Sequence, residues 1–215
     1  MAGQPDENLL ADWMAGRFSG LLRDCGNETA PGVDESPPNR DWSARPTTRD
    51  QARIEAFIAP RLRPQSRLLH VGLGNSQLAQ RFCHEVASID GVTITRTEYE
   101  LARSLQVPGY TPRLMNKYSR QFAQMGGKFD FIIDNNPSTF ACCRLHFSRM
   151  MLAFKAGLAP GGMLLTDRLG LGHVADDAPE LERWSFSGED WFAMAAALDL
   201  QASAHGEQVL AMAAA

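Results

Sequence analysis

Chemistry is available in this chain at a few polar residues, each set directly behind an apolar run. Asp134-Asn135-Asn136-Pro137 follows the apolar segment 129–133. A carboxylate beside two amides can orient an amine, polarise a hydroxyl or take up a proton. Gly72-Leu73-Gly74-Asn75-Ser76 follows Leu68-Leu69-His70-Val71. Two glycines one residue apart let a strand turn sharply into a helix and let a ligand approach the backbone closely. The amides that open the next helix then donate to an anionic or hydroxyl-rich ligand, so this loop points to a nucleotide-like cofactor. Glu98-Tyr99 and Asn116-Lys117 stand behind two further candidate strands.

The spacing narrows the ligand. A dinucleotide loop needs a third glycine where this chain has Gln77, and a bulky side chain there obstructs tight helix–strand packing. No Walker lysine follows the glycines, so a phosphate-binding loop of that kind is excluded. The cysteines, Cys25, Cys83, Cys142 and Cys143, form no CxxC pair. No His/Cys/Asp/Glu set has metal-ligand spacing, so the sequence predicts no metal and buried thiols in a reducing cytoplasm. His146 falls on a helix as a packing or surface residue, and His173 in a loop able to edge a pocket. Tyr99, Tyr118 and Trp42 are candidates to line the site by stacking. The formal net charge of -4, with Lys only at 117, 128 and 155, argues against a nucleic-acid partner. No apolar run is long enough for a membrane span, and the N-terminus lacks a signal pattern, so a cytoplasmic protein is expected.

The elements that must hold these residues follow from periodicity. Leu9, Leu10, Trp13, Met14, Phe18, Leu21 and Leu22 recur at helical spacing and predict an amphipathic helix over 8–24. From 25 to 49 Gly, Pro, Asn, Asp and Ser predominate, as in a linker or covering loop. Thr47-Thr48 are N-cap candidates for a helix over 49–62. Strands are predicted at 68–72, 92–97, 113–116, 129–134 and 163–166. Helices are predicted at 77–87, 101–105 and 141–158, and Ser187-Gly-Glu-Asp190 reads as a capping box before a helix to 198. Residues 200–204 and 208–212 read as a closing antiparallel pair. This alternation predicts an α/β fold with a mostly parallel sheet covered on both faces and a ligand at the carboxyl ends of the strands.

From residue 47 to 215 the chain resembles the class I S-adenosylmethionine-dependent methyltransferases. The resemblance rests on His70-Val-Gly72-Leu-Gly74-Asn-Ser76, on Glu98, on Phe129-Asp-Phe-Ile-Ile-Asp134 and on Leu158-Ala-Pro-Gly-Gly-Met-Leu-Leu165, in family order. It implies a seven-stranded sheet with an antiparallel closing strand. It also implies S-adenosylmethionine as cofactor, held by His70, Gly72, Gly74, Asn75, Ser76, Glu98, Tyr99, Asn116, Lys117 and Asp134. Glu98 takes the place of the acid that binds the ribose hydroxyls, and Asn116 lies toward the adenine edge. His70 replaces the family's acid: a neutral imidazole can accept a hydrogen bond there, whereas imidazolium would repel the cofactor's cationic groups. Asp134-Asn-Asn-Pro137 resembles the Asn/Asp-Pro-Pro-Tyr signature of several amine methyltransferases, with Asn135 at the second position and Phe140 displaced. Asp134, Asn135 and Asn136 are therefore the expected catalytic residues, acting on a small-molecule amine or hydroxyl in a biosynthetic pathway. Aminopropyl transfer on the same fold and a non-catalytic binding protein are the alternatives. Residues 1–46 are expected to form a lid over the site or a homodimer contact.

Overall fold

The computed structural model describes residues 6–18, 20–27, 41–139, 141–174 and 184–214. Its sheet is built around two strands that are apolar on both faces, β1 (Arg67–Val71) and β4 (Phe129–Asp134). Such runs belong in the middle of a parallel sheet, with helices on either side. β2 (Ser88–Thr93), β3 (Tyr110–Leu114) and β5 (Leu158–Asp167) extend it in parallel. β7 (Val209–Ala214) is inserted antiparallel beside β5, and β6 (Leu200–His205) closes the edge, giving the order β3-β2-β1-β4-β5-β7-β6. The order reverses between β1 and β4, and Val71 lies in register with Asp134. That register sets the glycine loop beside the Asp134 segment.

Alternate side chains of the central strands feed two apolar layers. Leu68, Phe131, Ile133 and Leu165 pack against Ile54 and Ile58 of α2 (Arg49–Ile58) and Leu78 and Phe82 of α3 (Gln77–Phe82). Leu69, Ile132 and Leu164 meet Phe147, Met150 and Phe154 of α6 (Arg144–Gly157), together with Trp191 of the helix over Gly188–Ala197. That last helix begins with the expected capping box between Ser187 and Asp190. No helix among the described residues is long and apolar enough to cross a membrane.

Several element limits differ from the sequence reading, each for a local reason. The N-terminal helix α1 is only Glu7–Trp13, followed by a 3-10 turn at Met14–Gly16. Gly16 and Gly20 disfavour continuation, since glycine loses the most backbone freedom in a helix. Leu10, Met14, Phe18 and Leu21 nonetheless enter the core beside α6, so this stripe is buried within the chain itself. Strand β2 starts four residues before the predicted 92–97 and stops at Thr93, and α4 (Arg96–Ser104) takes up Glu98. Gly91 hides the start of this strand in the sequence. It is a packing notch: a Cβ there would lie 2.5 Å from the Leu73 side chain and 2.7 Å from the Tyr110 ring. Strand β3 likewise begins at Tyr110 instead of 113. Pro160-Gly161-Gly162 is not a turn before β5 but an irregularity within it, where the register against Phe129 and Phe131 shifts. Helix α3 ends at Phe82 rather than 87. Short helices α5 (Arg120–Ala123) and α7 (Arg168–Leu171) complete the described chain, with α8 as the Gly188–Ala197 helix. Phe140 and most of the expected covering loop, residues 28–40, lie outside the described residues.

Candidate active site

At the carboxyl ends of β1, β2 and β4 lies a cleft of about 870 Å³, within the range of small-molecule sites. The glycine loop forms its floor. Gly72 has φ +85° and Gly74 φ +49°, conformations that side chains rarely adopt. Nothing lies within 4 Å of where a Cβ on Gly72 would be, so the backbone there is open to a ligand.

Glu98 borders the cleft from the first turn of α4, not from the strand end that the sequence suggested. It reaches back to the strand end it does not occupy. Thr93 Oγ1 donates to Glu98 Oε2 at 2.6 Å, Gly74 N–H donates to the same oxygen at 3.3 Å, and Trp42 N–H donates to Oε1 at 3.0 Å. Burial pushes the carboxyl's pKa up, and these three donors oppose that shift. Thr93, at the true end of β2, is a site residue that the sequence reading missed; a correct strand limit would have exposed it.

His70 lines the cleft from the middle of β1, between Gly91 and Ile133 of the flanking strands. It is 4% exposed, and its Nδ1 has no hydrogen-bond partner among the described residues. Burial lowers its pKa to about 4, so the ring is neutral near pH 7. His70 thus sets a neutral imidazole beside the cleft, a ring able to accept a hydrogen bond.

Lys117 and Asp134, which also line the cleft, form an ion pair. Lys117 Nζ stands 3.0 and 2.9 Å from the two Asp134 oxygens and donates to the Asn136 carbonyl at 2.6 Å. Burial raises the pKa of Asp134 and lowers that of Lys117, while their mutual attraction works against both shifts. Asn135 and Asn136 border the cleft, but their amides hold the scaffold. Asn135 Nδ2 donates to Asp50 at the start of α2, and the Asn135 backbone carbonyl accepts from Thr166 Oγ1 at 3.1 Å. With its amide nitrogen turned toward them, Asn136 reaches the Asn135 and Gly170 carbonyls at 3.1 and 3.0 Å. Asp50 was not foreseen, because nothing in the sequence distinguishes it from an ordinary acid of a first helical turn.

Asn75, Asn116, Tyr118, Trp42 and His173 also border the cleft. Tyr118 is pinned by donating to the Pro137 and Thr139 carbonyls at 2.6 and 2.9 Å. Two expected cofactor residues are elsewhere. Ser76 is buried beneath the loop, 3.4 Å from the Tyr110 hydroxyl, because its left-handed backbone turns the side chain away from the cleft. Tyr99 lies on the outer side of α4 under Arg103. The absence of metal-ligand spacing along the sequence does not carry into space: Cys25, Cys142, Cys143 and His146 converge outside the residues that line the cleft.

No protein-family model matches the chain, and no curated protein sequence does. Solved structures do resemble it. S-adenosylmethionine-bound CalS10, an amino pentose methyltransferase from Micromonospora echinaspora, matches with TM-score 0.54 at 19% identity, over 75% of this chain and 88% of its own. The N-methyltransferase NodS from Bradyrhizobium japonicum matches with TM-score 0.54 at 12% identity, over 75% of this chain and 90% of its own. The [4+2]-cyclase SpnF matches with TM-score 0.54 at 17% identity, over 93% of this chain and 74% of its own. The chain thus has the fold of class I S-adenosylmethionine-dependent methyltransferases. A cyclase among the matches means that the reaction must be argued from the site.

Proposed function

We propose that the chain binds S-adenosylmethionine in this cleft and transfers its methyl group to a small amine or hydroxyl compound, as a biosynthetic enzyme of the cytoplasm. One observation carries the reading: an open glycine turn at Gly72, the Glu98 carboxylate and the neutral His70 ring meet in a single cleft at the β1/β4 switch point. These residues fit the cofactor. A carboxylate offers about four lone-pair sites, and Glu98 has three protein donors, so it can still accept from a ribose hydroxyl. His70 can accept from the ammonium end without adding a positive charge beside a sulfonium. Asn116 borders the cleft on the β3 side, which the family resemblance assigns to the adenine.

When bound, the cofactor supplies a methyl group on a sulfonium, poised for in-line displacement. The chain's own residues then have to place the acceptor and exclude water. Asp134, paired with Lys117 but with its pKa raised by burial, can anchor and orient the acceptor or take up its proton. A neutral amine attacks through its lone pair, so an acceptor that arrives as ammonium sheds a proton first, whereas a hydroxyl loses its proton as it attacks. The likeness of Asp134-Asn-Asn-Pro137 to the amine methyltransferase signature favours an amine. Trp42, tied by its backbone to Glu98, lies against Gly74 of the glycine loop, and with Arg45 and Pro46 it borders the cleft as a cover.

Calorimetry with S-adenosylmethionine, followed by mass analysis of amine and alcohol acceptors for an added methyl group, tests the proposal. Binding without methyl transfer moves the chain to aminopropyl transfer or to a binding role. Failure of the folded protein to bind the cofactor overturns the reading.

A further inference from the structure

We propose that Cys25, Cys142, Cys143 and His146 form a structural zinc site that fastens the N-terminal segment to the first turn of α6. Their ligand atoms all lie within 4.8 Å of one another. His146 Nδ1 is 3.4 Å from Cys25 Sγ, 3.0 Å from Cys142 Sγ and 3.2 Å from Cys143 Sγ, and the Cys25 and Cys142 sulfurs are 3.5 Å apart. A tetrahedral zinc with three thiolates and one imidazole has sulfur–sulfur edges of about 3.7 Å and sulfur–nitrogen edges of about 3.5 Å, given ordinary zinc–ligand bond lengths. The side-chain cluster is therefore close to the size and shape of that coordination shell, with small adjustments.

The ligand types select the metal. Three soft sulfurs and an imidazole suit zinc, and four protein ligands leave no open position, as in structural sites. A disulfide between Cys25 and Cys142 accounts for only two of the four groups. It leaves unexplained why the ring nitrogen of a 2%-exposed histidine faces three sulfurs.

The backbone holds this geometry independently of the side chains. Cys143 is the N-cap of the α6 helix, and His146 lies three residues on, so the helix places both on one face. The Leu22 and Arg23 carbonyls accept from the Arg144 and Leu145 N–H groups at 2.7 and 3.0 Å, satisfying open donors of that helix and bringing Cys25 to its end. The positive end of a fourteen-residue helix stabilises thiolates and the net negative charge of a zinc ion with three of them. Cys142 and Cys143 follow the Asp134–Thr139 segment within a few residues in the chain. Metal binding would thus fasten the segment around Cys25 to the start of α6, whatever reaction the cleft performs.

Metal analysis of the full chain, purified in reducing buffer without chelator, tests this. The expected result is about one zinc per chain, retained on dialysis and lost in both Cys142→Ser and Cys25→Ser. Cys83→Ser keeps the metal, because Cys83 lies outside the cluster and contacts the Gln80 carbonyl instead. Cobalt(II) added to the metal-free chain should give the strong visible bands of a tetrahedral thiolate site, and chelation should lower Tm in the wild type and the Cys83 variant only. Circular dichroism of Cys25→Ser, whose change is in a half-buried residue, separates loss of metal from loss of fold. Wild-type protein with free thiols that binds neither zinc nor cobalt overturns the proposal, as does a mapped Cys25–Cys142 disulfide in protein that carries no metal under reducing purification.

Discussion

The backbone N–H of Trp42 donates to Glu98 Oε1 at 3.0 Å, while Thr93 and Gly74 occupy the other oxygen of the same carboxylate. One side chain therefore joins the cover of the cleft, its glycine floor and the end of β2. Glu98→Ala should weaken S-adenosylmethionine binding about 10- to 100-fold, from the roughly 1.5–3 kcal/mol of a hydrogen bond to a charged group. Calorimetry reads this directly, and unchanged affinity would remove Glu98 from the site.

Gly72 offers a sharper separation of binding from folding. Its φ of +85° makes alanine strained there, at a cost of about 1–2 kcal/mol to stability. The added Cβ would also project into open cleft rather than into protein. Gly72→Ala should therefore stay folded but lose more cofactor affinity than Gly74→Ala, whose Cβ would instead touch Trp42 at 3.7 Å. Equal losses in titrations of the two variants would argue against a ligand at Gly72.

The Lys117–Asp134 pair is buried, with side-chain exposures of 12% and 2%. Removing one partner strands a charge, so Lys117→Met should cost about 3–5 kcal/mol of stability in denaturant unfolding. Lys117→Met combined with Asp134→Asn should recover part of that loss, because no uncompensated carboxylate remains. If the double variant is as unstable as the sum of the singles, the pair has no coupling.

His70 predicts a pH dependence with a defined sign. Its pKa is about 4 in the folded chain, against the ordinary histidine value of 6.5 once the chain unfolds, so between these values the unfolded state binds the extra proton. Stability is intact above pH 6.5 and falls as pH drops toward 4, by a maximum of about 3 kcal/mol at 1.36 kcal/mol per pKa unit. His70→Asn, neutral at every pH, should flatten this part of the stability–pH curve. A curve of unchanged slope in that variant would assign the loss to carboxylates instead.

Much of the site was legible before the fold was known, and the reason is local. Gly72 and Gly74, Asp134 and Lys117 each follow or terminate an apolar run, and in a parallel sheet strand ends converge on one edge. Glu98 was identified for the right edge but the wrong element. Gly91 interrupts the β-branched pattern, and its packing against Leu73 and Tyr110 cannot be seen in a single strand. Ser76 and Tyr99 were misplaced because membership of a motif does not say which way a side chain points. One faces Tyr110 beneath the loop and the other Arg103 on the helix surface.

What the sequence determined by itself was the alternation of apolar runs and polar strand ends, and with it the parallel sheet and the edge where the candidate cleft lies. Those features depend on near-neighbour periodicity and on backbone freedom at particular glycines. Tertiary structure alone decided the partners. It paired Lys117 with Asp134, turned Asn135 toward Asp50, and brought Cys25 to Cys142, Cys143 and His146. Each of these contacts joins residues from different elements, so their chemistry exists only once burial has removed water and packing has set the distances.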